Sequence, residues 1–132
     1  MAVDYARAGE LLDAYGRAWQ AFDGDAWVDL FTEDAVYHEH PFEPPLAGHN
    51  EIRAYLLHAA QTQREVEFTV ERHWVSGDTV LAAWHASFIR TATAARVRIA
   101  GFMTLEVAPD GRVSRFREWW HRREPDRADG AG

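Results

Sequence analysis

Apolar residues recur every three or four positions along the first part of the chain, between Val3 and Phe22. This spacing predicts a helix with one buried face. The residues of that face are Leu11, Leu12, Tyr15, Ala18, Trp19 and Phe22. Asp23, Gly24 and Asp25 interrupt the pattern, since glycine and aspartate favour turns and helix caps. We therefore expect the first helix to end there and Asp25 to cap the next one.

A second helix, a first strand and a third helix are predicted next. The second helix is short, and its expected buried residues are Trp27, Leu30 and Phe31. A strand is predicted over Ala35–His40. The segment Pro41–Gly48 is a predicted loop, because its prolines lack the N–H group that a central strand needs. The third helix presents an apolar face that consists of Ile52, Tyr55, Leu56 and Ala59.

From Glu65 onward apolar and polar residues alternate, which is typical of strands. The predicted strands are Glu67–Val75, Thr79–Arg90, Arg96–Val107 and Arg112–Arg122. Turn sequences separate them at Ser76-Gly77-Asp78 and Pro109-Asp110-Gly111. The last segment, Glu124–Gly132, offers nothing to bury, so we expect a flexible tail.

These elements predict one α+β domain over residues 1–123, followed by the tail at 124–132. A chain of 132 residues suffices for one hydrophobic core. Helices followed by a run of antiparallel strands favour an antiparallel sheet that curls around the long first helix. We expect about three helices and five to six strands in it.

Charge and missing residue types exclude several classes of function. The net charge of −7 argues against nucleic acid and an anionic membrane surface as partners. No cysteine is present, which excludes disulfides, thiolate metal sites and cysteine nucleophiles. The N-terminus lacks the apolar segment of a signal peptide, so we expect a cytoplasmic protein. The serines lie in no nucleophile motif, and the glycines form no phosphate loop.

Two aromatic-rich segments carry many ionisable groups. Tyr37–Gly48 holds two histidines and two glutamates, and Arg117–His121 places a glutamate beside two tryptophans. The chain has 6 Trp, 7 Phe and 4 Tyr residues, and such rings fill cores or line cavities for apolar ligands. Carboxylates among aromatic residues on two different strands indicate a pocket, with Glu39 and Glu118 as its acids.

Four segments of the chain together carry a family resemblance, and they are Tyr15–Trp19, Trp27–Tyr37, Gly48–Arg53 and Asp110–Trp120. Their order and spacing resemble the nuclear transport factor two-like superfamily, in its SnoaL-like and ketosteroid-isomerase-like branch. The resemblance spans Leu11–Arg122 and implies a cone-shaped fold, in which a strongly curved antiparallel sheet wraps the long first helix around a deep apolar pocket. The superfamily includes isomerases, polyketide cyclases, dehydratases, epoxide hydrolases and proteins without catalysis, so the fold does not decide the function.

The resemblance implies roles for particular residues. In ketosteroid isomerases a tyrosine of the first helix donates to the substrate oxyanion, and Tyr15 lies at that place. The general base on the first strand corresponds to Glu39. In SnoaL-like cyclases an acid near the last strand is the base, and Glu118 is the nearest match. The second acid of the isomerase oxyanion hole is missing, because the matching segment is Gly101–Met103. This departure argues against steroid isomerisation.

Strand alternation leaves two roles open for Glu118. It falls on the apolar face of its strand, between Phe116 and Trp120, where desolvation raises the pKa of a carboxyl group. It is then a proton-transfer group near neutral pH. The alternative is a structural ion pair with Arg90 or Arg53.

Glu39 and Tyr15 also have two interpretations each. Glu39 shares a strand face with Tyr37, and it is either a general base inside the cone or a strand-end carboxylate in solvent. Tyr15 is either a core residue or a phenol that stabilises developing negative charge on a substrate oxygen.

The histidines could serve a metal or acid–base chemistry. His38 and His40 lie on the face opposite Glu39 and could chelate a metal with His85 or His49 as third ligand. No second motif supports this, so we predict neither metal nor cofactor. His40 or His85 would instead assist the acids.

We therefore expect a small, largely apolar molecule to bind inside the cone and undergo cofactor-independent proton transfer, as in an isomerase, cyclase or dehydratase. The catalytic candidates are Glu39, Glu118, Tyr15, His40 and His85. The expected binding residues are Trp19, Phe22, Tyr37, Phe42, Trp84, Phe88, Phe102, Phe116 and Trp120. One alternative is a non-catalytic binding or accessory module of the same fold.

A third hypothesis is an epoxide hydrolase. The resemblance implies for it an Asp-Arg-Asp arrangement, for which Arg90 is available but Asp78 and Asp110 have the sequence context of turns. On the outward face of the last strand, Trp119 lies beside Arg115, Arg117 and His121. An exposed tryptophan on a sheet predicts a homodimer through the outer sheet face.

Overall fold

The structure, a computed structural model, describes residues 2–126. Its helices are α1 (Tyr5–Ala21), α2 (Gly24–Asp29) and α3 (Gly48–Thr62). Its strands are β1 (Phe31–His38), β2 (Leu46–Ala47), β3 (Gln63–Ser76), β4 (Thr79–Arg90), β5 (Arg96–Val107) and β6 (Val113–Arg123). The bounds of β4 and β5 confirm the predicted strands, and turn sequences mark the start of β4 and the end of β5.

The turn between α1 and α2 is tighter than the sequence pattern predicts. Phe22 adopts a left-handed backbone with φ 50°, which ends α1. The carboxylate of Asp23 then accepts a hydrogen bond from the Ala26 N–H at 3.1 Å and caps α2. The prediction that Asp25 is the cap was therefore wrong. Asp25 lies in the first turn and pairs with Arg53 at 2.9 Å.

β1 begins at Phe31, four residues before the predicted start. Leu30 and Phe31 were expected on α2, but the Leu30 carbonyl accepts a hydrogen bond from the Val113 N–H at 2.7 Å. This bond draws the chain into the sheet as soon as α2 ends. The proline-rich loop contains the short strand β2, in which Ala47 pairs antiparallel with Val36 of β1.

All six strands form one curved, mixed and unclosed sheet in the order β2-β1-β6-β5-β4-β3. The pair β1 and β6 is parallel, and the other neighbours are antiparallel. In the parallel pair Tyr37 lies opposite Phe116 and His38 opposite Arg117. The end of β1 therefore lies beside the middle of β6, which brings the two acid-bearing segments together.

The concave face of the sheet packs against α1, and their buried side chains form the main core. Leu11, Leu12 and Tyr15 of α1 are buried in it, as the helical spacing predicts. Within residues 2–126 no helix is long and apolar enough to cross a membrane.

The first residue of the expected tail, Glu124, is bonded to the sheet. Its carboxylate accepts two hydrogen bonds from Arg90, one from Nε at 2.8 Å and one from Nη2 at 2.9 Å. A charge-assisted pair of this kind holds Glu124 at the sheet although the segment has nothing apolar to bury, and the flexible tail stays a prediction. Residues 127–132 of the expected tail lie outside the described residues.

Candidate functional site

A cavity of about 370 Å³ lies between the concave face of the sheet, α1 and α3. Seven large apolar side chains contribute to its wall, and they are Trp19, Trp27, Leu56, Trp84, Phe88, Ile99 and Trp120. The ionisable groups of the wall are Tyr15, Tyr37, Glu39, His40, Tyr55, His58, Arg90, Glu118 and Arg122. A small apolar molecule with a few polar atoms fits a site of this size and lining.

Glu118 is the most deeply placed acid of the cavity. It lies on the inner face of β6 and is only 6% exposed. Burial raises the pKa of its carboxyl group well above the ordinary value, and the charge of Glu39 raises it further, while a hydrogen bond with Tyr37 lowers it. The balance keeps a proton on Glu118 at pH values at which ordinary glutamates are ionised.

Two phenols extend this buried polar group. The hydroxyl oxygens of Tyr15 and Tyr37 lie 3.2 Å apart and share a hydrogen bond. Burial, followed by the charge of Glu118, raises the pKa of both phenols well above the usual value. Both hydroxyls therefore stay protonated and remain hydrogen-bond donors. Tyr37 also stacks on Phe116, with ring centroids 4.2 Å apart, which fixes its orientation.

Glu39 is the more exposed acid, at 28% of its side chain. Its Oε2 accepts a hydrogen bond from the Tyr55 hydroxyl, and its Oε1 lies 3.1 Å from His40 Nε2. The His40 ring in turn lies 5.7 Å from the Trp120 ring. Two neighbours from different elements thus hold the Glu39 carboxylate at the cavity wall.

The environments of the two acids differ, and this difference is the main chemical property of the site. One carboxyl group is buried, with a pKa raised by burial, and the other is partly exposed and hydrogen-bonded. A buried acid with a shifted pKa in a cavity with other ionisable groups is typical of acid–base catalysis.

A family model described as a SnoaL-like domain matches residues 12–116. The chain belongs to the SnoaL-like family. Among curated proteins, none matches the sequence.

Solved structures show the same fold as this SnoaL-like chain. SalBIII, an epoxide hydrolase/cyclase-like enzyme of pyran ring formation in the polyether salinomycin, aligns with a TM-score of 0.79 and 23% identity over 89% of this chain and 93% of that one. An LEH-like epoxide hydrolase of M. tuberculosis aligns with a TM-score of 0.73 and 22% identity over 88% of this chain and 84% of that one. A Catenulispora acidiphila protein with a ketosteroid isomerase-like fold aligns with a TM-score of 0.76 and 16% identity over 83% of this chain and 84% of that one. At these identities the likeness establishes the fold alone.

Nine of the candidate residues lie in the wall of the SnoaL-like cavity. They are Tyr15, Trp19, Tyr37, Glu39, His40, Trp84, Phe88, Glu118 and Trp120. His40 was expected on the face opposite Glu39. Strand β1 ends at His38, however, so the alternation of faces stops there and both side chains reach the cavity.

Three candidate residues lie away from the cavity, which corrects their expected placement. His85 is on the outer face of β4, where its Nδ1 is 3.1 Å from Glu71 Oε1, because Trp84 takes the inner face. Phe42 is 100% exposed in the loop. Phe102 faces outward and packs against Trp74, with ring centroids 6.1 Å apart.

Phe116 and Phe22 do not line the cavity, which corrects their expected placement in its wall. Phe116 is fully buried and stacks with both Tyr15 and Tyr37. Phe22, at the end of α1, packs against a small core cluster that contains Val66 and Val97. Their rings support the wall and leave its surface to other side chains.

Sequence reasoning missed several residues of the site. Tyr55 was assigned only to the apolar face of α3, although a tyrosine in that stripe could have signalled a polar partner inside the fold. Gln63 lines the cavity and accepts a hydrogen bond from Trp19 Nε1 at 2.9 Å. His58 and Arg122 also line it. Nothing in their local pattern distinguishes them from surface residues.

The ion-pair alternative for Glu118 finds no support among residues 2–126. Arg90 binds Glu124 and Arg53 binds Asp25, so each of the two suggested arginines has a different acidic partner. The described residues also contain no group of three or more metal-ligating side chains that could hold a metal ion.

Glu118 should make stability fall as the pH rises. Because its folded-state pKa is raised, the folded protein holds a proton that the unfolded chain releases. The contribution of Glu118 to the free energy of unfolding is therefore fully present below the pKa of glutamate in the unfolded chain, near 4.3. This contribution declines as the pH rises toward the pKa of Glu118 in the folded protein, by at most about 1.4 kcal/mol per pH unit. Urea unfolding of the wild type and Glu118→Gln between pH 4 and 9 measures this slope. A pH-independent difference between the two proteins would contradict it.

Proposed function

We propose that the protein binds a small, largely apolar molecule in the cavity and catalyses cofactor-independent proton transfer of the isomerase, cyclase or dehydratase type. The observation that carries the proposal is the presence in one cavity of a buried Glu118, whose pKa burial raises, and a partly exposed, hydrogen-bonded Glu39. A base and a neutral hydrogen-bond donor are the two groups that enolisation of a carbonyl compound needs.

In the proposed reaction Glu39 is the general base. It takes a proton from a carbon atom next to a carbonyl group, and the electron pair of the broken C–H bond moves onto the carbonyl oxygen. The proton then returns to a different atom in an isomerisation or cyclisation, or accompanies loss of hydroxide as water in a dehydration. Tyr55 and His40, which contact the two Glu39 oxygens, hold the carboxylate in position.

Glu118 and the phenols would stabilise the oxygen that gains charge. Glu118, Tyr15 and Tyr37 all line the cavity and all carry protons that they can donate. Donors that are already oriented and desolvated stabilise a developing oxyanion without reorganisation. The apolar walls would exclude water from this step.

The same cavity would serve a non-catalytic binding module, and that is the competing hypothesis. An epoxide hydrolase of the Asp-Arg-Asp type finds less support. Among residues 2–126 Arg90 is paired with Glu124, and Asp78 and Asp110 lie in the turns between strands. We therefore keep acid–base chemistry on a carbonyl compound as the proposal.

Deuterium exchange of 2-tetralone tests the proposal. This small bicyclic ketone is apolar, and a base together with a donor to the enolate oxygen accelerates abstraction of its α-proton. We expect the protein in D₂O to catalyse incorporation of deuterium, measured by NMR as loss of the α-proton signal. Exchange at the rate of the buffer alone, despite demonstrable binding of the ketone, would instead support a non-catalytic module.

Replacing Tyr15 with phenylalanine should slow this exchange about 10²-fold, the effect of losing one oxyanion donor. The ring and its packing remain, so stability should fall by only about 1 kcal/mol for the lost bond to Tyr37. Tyr5→Phe is the matched control, since Tyr5 lies on the same helix and is exposed. Equal exchange rates for Tyr15→Phe and Tyr5→Phe would remove Tyr15 from the mechanism.

A further inference from the structure

The side chains that line the cavity change along β6 from acidic to aromatic to basic. Glu118, Trp120 and Arg122 occupy alternate positions of this strand and all line the cavity. Four residues of strand span about 13 Å, so the arginine lies roughly that far from the buried acid along the wall. Arg90, at the end of β4, lines the cavity as well. One part of the wall is therefore acidic and phenolic, the middle is aromatic, and the other part carries guanidinium groups.

The two guanidinium groups already hold a carboxylate. Glu124 receives hydrogen bonds from Arg90 Nε at 2.8 Å and Nη2 at 2.9 Å, and its Oε1 lies 3.4 Å from Arg122 Nε. This side-on, bidentate geometry is the preferred mode of carboxylate recognition by arginine. The Arg90 guanidinium also lies 5.0 Å over the Phe88 ring, so an aromatic surface supports it.

The local charge favours an anion even though the whole chain is acidic. Arg90 and Arg122 contribute two positive charges against the single negative charge of Glu124. Arg123, Arg98 and Arg96 do not line the cavity and lie instead with Glu67 and Glu71 on the outer face of the sheet, so the local excess of positive charge comes from Arg90 and Arg122. Local positive potential of this kind raises the concentration of anionic ligands at the entrance of a cleft.

We propose that Arg90 and Arg122 form an anion subsite for the carboxylate of an amphipathic organic acid, and that Glu124 occupies this subsite in the ligand-free protein. The proposal rests on the proposed function, because it takes the cavity to be the binding site. The apolar body of the ligand would lie against Trp84 and Trp120, with its reactive end toward Glu39 and Glu118. Glu124 belongs to the segment after β6 and would leave the arginines when the ligand enters.

A matched pair of probes tests the subsite. 1-Naphthylacetate and 1-naphthylacetamide share the same ring system and differ in the charged group, and calorimetric titration measures their binding. We expect the acid to bind about tenfold more tightly than the amide, as a charge-assisted bidentate contact predicts. Arg122→Gln should abolish this preference and leave amide binding unchanged.

Two charge-matched variants make the test specific. Arg123→Gln removes the same charge from the next residue, which does not line the cavity, and should preserve the preference for the acid. Glu124→Gln should increase affinity for the acid about tenfold by removing the competing carboxylate, while Glu67→Gln, on the exposed face of β3, should not.

Three results would overturn the subsite. They are equal affinity for acid and amide, weaker binding of the acid by Glu124→Gln, and absence of binding by either probe at millimolar concentration. The proposed function is tested separately, since 2-tetralone carries no charge. Arg123→Gln, outside the cavity, should exchange the α-protons of 2-tetralone at the wild-type rate. Loss of the preference for 1-naphthylacetate in Arg122→Gln tests the subsite alone, and wild-type exchange of 2-tetralone tests the proposed function alone.

Discussion

Replacing Glu39 with glutamine should lower the rate of 2-tetralone exchange by about 10²–10⁴-fold, the contribution typical of a general base. The amide oxygen of glutamine still accepts the hydrogen bond from Tyr55, but it no longer takes a proton from carbon. The fold should be retained, because the carboxylate is partly solvated and lies outside the core. Exchange rates measured by NMR, together with thermal unfolding, separate the loss of chemistry from a loss of structure.

Glu43→Gln is the matched control for this variant, since Glu43 lies exposed in the loop that follows β1 and does not line the cavity. A second readout is independent of any substrate. The charge of Glu39 contributes to the raised pKa of Glu118, so Glu39→Gln should lower the pKa of Glu118 in an NMR titration. An unchanged exchange rate in Glu39→Gln would exclude Glu39 as the base.

Replacing Gly101 with alanine should destabilise the fold by about 3 kcal/mol, equivalent to a drop in Tm on the order of 10 °C. Gly101 pairs with Trp84 on β4 and Trp120 on β6. A Cβ atom at this position would lie 2.6 Å from Trp84 Cζ2 and 2.9 Å from the Trp119 carbonyl oxygen. The indole is buried and the carbonyl belongs to the sheet, so neither moves without cost.

The matched control is Gly9→Ala, which should raise stability where Gly101→Ala lowers it. Gly9 lies inside α1, and a Cβ there would meet His73 Cε1 at 3.6 Å, an ordinary contact. Alanine should stabilise the protein by about 0.5–1 kcal/mol at this position because of its higher helix propensity. Denaturant unfolding of both variants provides the comparison. If Gly101→Ala were as stable as the wild type, the indole of Trp84 would not need the space above Gly101.

The Gly101 position also explains a departure from the ketosteroid isomerase pattern. The matching segment lacks the second acid of the isomerase oxyanion hole, and in this structure the Trp84 ring takes the space that a side chain at Gly101 would need. Glu118, one strand over and opposite Met103, is the cavity acid whose pKa burial raises. The proposed reaction therefore takes its neutral carboxyl donor from a different strand.

Local sequence patterns predicted the elements whose signals are local. The predicted bounds of β4 and β5 are those of the structure, and turn sequences mark the start of β4 and the end of β5. Alternation on β6 correctly placed Glu118 on the inner face and Trp119 on the outer face. The homodimer through that outer face stays a prediction. The predicted helix cap at Asp25 was wrong because Asp23, two residues earlier, can cap the same helix. The predicted face of His40 was wrong because the alternation of strand faces stops at the end of β1.

The sequence by itself determined which residues alternate, where helices and hairpins turn, and that Glu118 would be buried among rings, because each of these follows from neighbours along the chain. Only the tertiary structure decided that β1 lies parallel to β6, so that Glu39 and Glu118 share a cavity, that Tyr55 reaches Glu39, and that Glu124 fills the arginine pair. These contacts join segments far apart in the chain. Their formation depends on how the whole sheet curves and packs. The periodicity of a single segment does not specify which distant segment it will contact.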